Sequence, residues 1–130
     1  MALHVLDEMK GEINMEDLKR MCESIADELK EVYEADWTEE EMETRMEDGL
    51  PVNFWEYFEN ALDIEYIIGG DGRYRGVRIM VTCGGPNIWV DTRRGEVYGA
   101  WGTDTYSAWV PNEICGEIDD AFEEMYIINK

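Results

Sequence analysis

The sequence has few of the residues that build most catalytic and metal sites. It contains one histidine, His4, and three cysteines, with no Cys-x-x-Cys pair and no Cys/His cluster. A zinc site or a disulfide framework is therefore not expected, and reduced thiols in a cytosol are the simpler interpretation. A nucleophile at Cys83 would need a base, and His4 lies far away in the sequence. We expect Cys83 to be a small buried strand residue, and we assign no catalytic residue, metal ligand or cofactor.

Long apolar runs and basic residues are also scarce. No apolar stretch approaches the roughly 18 residues that span a bilayer, and the N-terminus lacks the basic region and apolar stretch of a signal peptide. Eleven Lys and Arg face 31 Asp and Glu, which gives a formal net charge of −20. Such a chain is repelled by nucleic acid and anionic membranes and attracts basic proteins. We therefore expect a cytoplasmic protein that binds neither nucleic acid nor membrane directly.

Apolar and aromatic side chains, by contrast, are plentiful. The chain has 130 residues, 45% of them apolar, with five Trp and seven Tyr, which argues against disorder and for one domain with its own core. Its charge is uneven. Residues 1–62 hold 19 acids against 5 bases, residues 63–110 hold 6 against 5, and residues 111–130 hold 6 against 1. A near-neutral central part lies between two acidic parts of one domain, residues 1–130.

Periodicity and capping residues predict four helices. Apolar residues three and four apart predict a long helix over Asn14–Glu34, with Asn14 as its N-cap. A capping box at 38–41 opens a second helix, and the same pattern at 53–56 opens a short aromatic one that we expect to plug one face of the sheet. A last helix is predicted over Asn112–Tyr126. The first and last helices should form the main cover.

Alternating apolar residues and glycine-rich turns between 63 and 110 predict an antiparallel meander of four or five strands. The turn at 92–95 suits a hairpin with Gly95 in a left-handed conformation. The glycines at 69–72 lack the following helix that a phosphate-binding loop requires, so we interpret them as another hairpin turn. The predicted fold class is α+β, a single domain whose sheet is covered mainly on one face by acidic helices before and after it.

Three of the helices carry rows of acids on the face opposite their apolar residues. Like charges three or four apart each cost a helix roughly 0.2–0.5 kcal/mol, and solubility needs a net charge of only about 2–8. Neighbours in such a row are about 6 Å apart, comparable to the phosphate step of a nucleic-acid strand. A row could therefore occupy a basic groove meant for DNA or RNA. A solvated acidic face, as in a salt-loving organism, is the alternative.

The predicted partner-binding residues are the ten acids of these rows: Glu23, Asp27 and Glu31; Glu40, Glu43 and Glu47; and Glu113, Glu117, Asp120 and Glu124. A second surface is suggested by five aromatic residues of the meander: Trp89, Tyr98, Trp101, Tyr106 and Trp109. Packing in the core or beneath helices explains most such residues. Any that lie on the less buried face would suit a protein interface, where aromatic residues and Arg concentrate.

In size, charge and single-domain character the whole chain resembles the small acidic inhibitors of phage and mobile elements, the anti-CRISPR proteins. Several of these imitate nucleic acid. The resemblance rests on no motif, so it transfers no family residue. It implies a non-enzymatic inhibitor, without cofactor, that binds the basic nucleic-acid-binding surface of a partner protein such as a CRISPR–Cas nuclease. Immunity proteins or antitoxins that neutralise basic nuclease toxins have the same profile and are the alternative. A small enzyme that uses two carboxylates is less favoured, because no acid–base set is readable.

Overall fold

The computed structural model describes residues 15–33 and 38–129, so Asn14 and the lead-in over residues 1–13 lie outside the described residues. The fold is α+β, as predicted: a five-stranded antiparallel meander in the order β1-β2-β3-β4-β5, flanked by an N-terminal and a C-terminal helix. The elements are α1 Met15–Tyr33, α2 Glu39–Glu47, α3 Phe54–Tyr57, β1 Asp63–Ile68, β2 Tyr74–Thr82, β3 Asn87–Asp91, β4 Glu96–Trp101, β5 Asp104–Trp109 and α4 Asn112–Asn129.

One face of the sheet holds the core. The register aligns Ile79, Val90, Val97 and Ala108 across four adjacent strands, and all four side chains are buried. Because side chains alternate between the faces of a strand, their neighbours in sequence lie on the opposite face. The apolar row is the surface on which the helices pack.

The two long helices cover that face, as predicted. Helix α1 packs on β4 and β5, and its apolar residues Leu18, Cys22 and Ile25 are fully buried. Helix α4 packs on β2 and also contacts α1, with Ile118 fully buried. The short helix α3 adds Phe54 and Tyr57 to the same core. Its strongest contacts are with α1 and α4 rather than with the strands, so it plugs the gap between the cover helices.

The turn predictions are confirmed by the backbone. Gly95 adopts φ +69° in the turn between β3 and β4, and Gly72 adopts φ +80° between β1 and β2. Glycine has no Cβ and enters this region of φ at little steric cost. The N–H of Gly95 donates to the carbonyl of Asp91 at 2.9 Å, which closes the hairpin turn.

The prediction that Cys83 is a buried strand residue is wrong. The register of β2 against β3 shifts between Met80 and Thr82, so Val81 and Thr82 are both buried. The hydroxyl of Thr82 donates to the carbonyl of Pro86 at 2.9 Å. Strand β2 ends there, and Cys83 is exposed. A bulge inserts one residue and breaks the alternation on which the prediction depended.

The contact of α1 with β4 depends on Gly99. A Cβ atom at this position would lie 2.6 Å from Sγ of Cys22 and 2.8 Å from Cδ1 of Leu18. Both neighbours are fully buried and have little room to move. Glycine therefore allows the helix to approach the sheet at this point.

We predict that Gly99→Ala lowers the free energy of unfolding by about 1–3 kcal/mol, the usual cost of overpacking a core. The matched control is Gly116→Ala on α4, where a Cβ meets nothing within 4 Å. This change should raise stability by about 0.5–1 kcal/mol, because alanine is the better helix former. Urea denaturation of both variants measures the difference. A Gly99→Ala protein as stable as the native one would refute the close approach.

Candidate partner-binding surfaces

All ten acids predicted to bind a partner are exposed on the helices. The rows on α1 and α4 lie in one layer, because these two helices pack on the same face of the sheet and contact each other. Helix α2 is connected to α1 by Arg45, whose guanidinium donates to Oε1 of Glu31 at 2.7 Å. The rows on α1 and α2 are thus neighbours, and the third row lies on the other cover helix.

Helix α2 differs from the other helices because it buries none of its residues. Even Met42 and Met46 are exposed. Thr38 caps the helix by accepting from the N–H of Glu41 at 3.2 Å, and Arg45 also donates to the carbonyl of Pro51 at 2.7 Å. These polar contacts hold the helix in place, while its row of Glu40, Glu43 and Glu47 is exposed to solvent.

Some helix carboxylates have a structural task. Three tyrosine hydroxyls donate to carboxylate oxygens on the helices: Tyr57 to Glu28 at 2.7 Å, Tyr74 to Asp119 at 2.7 Å and Tyr106 to Glu23 at 2.6 Å. The hydroxyl of Thr92 also donates to Asp119 at 2.7 Å. The Tyr74 and Tyr106 bonds tie the cover helices to the sheet. Glu23 therefore belongs both to a predicted binding row and to the packing of α1.

Burial and these hydrogen bonds raise the pKa of all three tyrosines. Burial, and then the charge of Glu28, raises the pKa of Tyr57 well above its ordinary value. Burial and the hydrogen bond to Asp119 do the same for the pKa of Tyr74. For Tyr106 the hydrogen bond to Glu23 is the largest cause of the raised pKa. Each hydroxyl remains a donor well beyond neutral pH.

The face of the sheet opposite the helices is a second surface, and its charges are mixed. The guanidinium of Arg78 lies 4.3 Å from the ring centroid of Trp89, whose own centroid is 5.8 Å from that of Tyr98. A groove of about 440 Å³ on this face is lined by Arg78, Asp91, Arg94, Glu96 and Tyr98. With two guanidinium groups against two carboxylates, it selects neither sign of charge.

The five meander aromatics divide between the two faces. Trp101 and Tyr106 pack against the core, whereas Trp89 and Tyr98 are half-buried on the open face. Trp109, at the end of the last strand, is 75% exposed. Such exposure of a tryptophan is unusual for a residue type that is highly buried on average.

A smaller groove lies where α1 passes over β5. It has a volume of about 290 Å³, and its lining residues come from both elements: Glu23, Ala26, Asp27, Tyr106, Ser107, Ala108 and Trp109. Two of the ten predicted acids thus lie beside the most exposed tryptophan side chain of the sheet. We call this site the β5 groove. Local sequence patterns do not reveal this groove, because α1 and β5 are far apart in the chain.

Within residues 15–33 and 38–129, no group of three or more His, Cys, Asp or Glu side chains could hold a metal ion. Cys83 is exposed, and His4 lies outside the described residues. No helix of the described part is long and apolar enough to cross a membrane.

Two buried thiols make the free energy of unfolding depend on pH. Burial raises the pKa of Cys22 from 9.0 to about 12 and that of Cys115 from 9.0 to about 11. The unfolded chain therefore releases these protons first as pH rises. The free energy of unfolding should be at its full value below pH 9 and then fall by up to about 1.4 kcal/mol per pH unit for each thiol. Tyr57 and Tyr74 add to the loss above pH 10.

Urea denaturation between pH 8 and pH 11 tests this prediction. A Cys22→Ala/Cys115→Ala variant should lose less stability per pH unit than the native protein over this range, whatever its stability at pH 8. Cys83→Ala removes an exposed thiol and is the control, with a slope like that of the native protein. Equal slopes for all three proteins would contradict the assignment.

No protein-family model matches the chain, and neither the curated proteins nor the solved structures contain a match to it.

Proposed function

We propose that the protein is a non-enzymatic acidic inhibitor that occupies the basic nucleic-acid-binding surface of a partner, a CRISPR–Cas nuclease of a host that phage or mobile elements enter. The observation that carries the proposal is α2. This nine-residue helix contains five glutamates and buries none of its residues. Core packing therefore does not explain its sequence.

Folding explains only part of the composition of α2. Glu39, Glu40 and Glu41 lie in the first turn, where the helix dipole favours acids, whereas Glu43 and Glu47 lie beyond it. Glu39 and Glu43, and likewise Glu43 and Glu47, are four residues apart, and each such pair costs a helix roughly 0.2–0.5 kcal/mol. In a complex with a basic groove the same glutamates contribute favourably, because each carboxylate then faces a cation. A capped helix that presents carboxylates at near-phosphate spacing displaces counterions from that groove, as nucleic acid does.

The distribution of charge over the molecule supports an orientation for binding. The helices α1, α2 and α4, which we call the helical layer, carry the three rows of acids. The sheet region between residues 63 and 110 has six acids against five arginines. A basic surface is attracted to the helical layer and gains little from the open sheet face. This asymmetry supports partner contact through the helices. We place its centre on α2 because that helix buries none of its residues.

A competition assay tests the proposal. Guide-loaded Cas effectors are mixed with fluorescently labelled target DNA, and the anisotropy of the DNA is followed as the protein is added. We expect DNA to be displaced from at least one effector, with an affinity that falls steeply as salt rises from low to physiological concentration. If the protein instead binds a basic nuclease toxin and no effector, the immunity-protein alternative is correct.

Two charge variants locate the binding surface. Glu40→Gln/Glu43→Gln/Glu47→Gln on α2 removes three charges, and Glu117→Gln/Asp120→Asn/Glu124→Gln on α4 removes three as the matched control. We expect the α2 variant to bind roughly 10- to 100-fold more weakly, at about 0.5–1 kcal/mol per lost charge pair. The α4 variant should lose less, and both should keep the native fold.

The outcomes separate three mechanisms. Equal weakening by both variants would indicate a general attraction of charge without a defined surface. Binding that survives both variants but is lost on Trp89→Ala, in a folded protein, would indicate an ordinary hydrophobic interface. In that case the carboxylates are only a solvated surface, and the proposal is wrong.

A further inference from the structure

The β5 groove borders a free edge of the sheet. In the strand order β5 is terminal, and within the described residues it pairs with β4 alone. The N–H of Val110 donates to the carbonyl of Gly95 at 2.8 Å, and the register pairs Ala108 with Val97. Since bonded and non-bonded pairs alternate along an antiparallel ladder, the backbone groups of Thr105, Ser107 and Trp109 point away from β4. They form a row of donors and acceptors at the free edge.

This edge has little of the protection that edge strands commonly carry. Charged side chains on an edge strand discourage pairing with another chain. Strand β1, at the other edge, contains the acids Asp63 and Glu65 in its six residues. Strand β5 contains one charged residue, Asp104, and ends on the exposed Trp109. The β5 edge is therefore the more open of the two to an added strand.

The helix side of the groove is acidic. Glu23 and Asp27 lie one turn apart on α1 and both line the groove. The hydroxyl of Tyr106 holds the carboxylate of Glu23 through a 2.6 Å hydrogen bond. A strand added to β5 would direct every second side chain to this side of the sheet, toward the two carboxylates.

We infer that the β5 groove binds an extended basic segment of the partner, which adds to β5 as an antiparallel sixth strand. Backbone groups of the segment pair with Thr105, Ser107 and Trp109. Its Arg or Lys side chains, on the side of Tyr106 and Ala108, pair with Glu23 and Asp27. Its alternate side chains lie on the open face beside Trp109. The inference rests on the proposed function for the basic character of the partner.

Charge distinguishes this occupant from two others that the edge could accept. Pairing β5 with β5 of a second copy would bring two sets of Glu23 and Asp27 together in chains of net charge −20. Nucleic acid is repelled by the same carboxylates. A basic polypeptide segment gains from both the charges and the free backbone groups.

The test uses an eight-residue peptide of alternating Arg and Val, labelled with a fluorophore, and the full-length protein. In the inferred register, the valine amides face β5 and the arginine amides face away. N-methylation of the valines should therefore weaken binding at least tenfold. N-methylation of the arginines leaves the same charge and the same number of methyl groups, and should change binding less than threefold. Peptide binding should also slow hydrogen exchange at Ser107.

Two protein variants test the groove from the other side. Ser107→Pro removes an N–H that points away from β4, so the β4–β5 ladder keeps its bonds, and peptide affinity should fall at least tenfold. Glu23→Gln/Asp27→Asn should weaken binding by a similar factor and reduce its salt dependence. Neutralising Glu40 and Glu43 on α2 removes the same charge and should have a smaller effect. Circular dichroism checks that the variants fold. If Ser107→Pro does not fold, the two methylated peptides and the native protein test strand addition without it.

Equal binding of the two methylated peptides would overturn the inference, since attraction would then be electrostatic without strand addition. DNA displacement from a Cas effector tests the proposed function separately. If Ser107→Pro still displaces DNA from a Cas effector as well as the native protein does, the proposed function stands and the inference fails. If the peptides discriminate as expected but no effector is inhibited, strand addition stands and the Cas assignment fails.

Discussion

The close packing of α1 across β4 and β5 is the contact on which the rest of the structure depends. It requires the absence of a side chain at Gly99, where Cys22 and Leu18 approach the strand. Once α1 is seated there, its apolar face is buried and its opposite face must turn to solvent. The same placement brings Glu23 to the hydroxyl of Tyr106 and creates the groove beside β5. The packing of α1 on β4 and β5 thus positions the core, the acidic face of α1 and the β5 groove together.

Burial and hydrogen bonding divide the acids of the helices into two groups. Glu28 and Asp119 accept from tyrosine hydroxyls and hold the helices to their neighbours. The acids of α2 contribute nothing to the core, because that helix buries none of its residues. A chain that needed its carboxylates only for folding would have little reason to keep the second group. This division, rather than the total charge, supports a role for the helical layer in binding.

The helical layer and the β5 edge suit different contacts. The helical layer presents mainly acidic side chains, which favour fast, salt-sensitive association. The β5 edge offers backbone hydrogen bonds and an exposed tryptophan, which favour slow dissociation and a defined register. A partner that contacted both surfaces would be attracted by the acids of the helical layer and held in one register by the β5 edge.

Features that depend on neighbours along the chain were determined by the sequence itself. Apolar spacing and caps located the helices, and alternation with glycine turns located the strands, because these patterns express local backbone geometry. The exposure of the ten acids on the helices follows from the same periodicity. Only the tertiary structure decided the features that need contacts between distant segments. The bulge that exposes Cys83 arises from pairing with β3, and the bond from Tyr106 to Glu23 joins residues 83 positions apart. The β5 groove likewise exists only because packing places α1 beside the last strand, a proximity that no local pattern encodes.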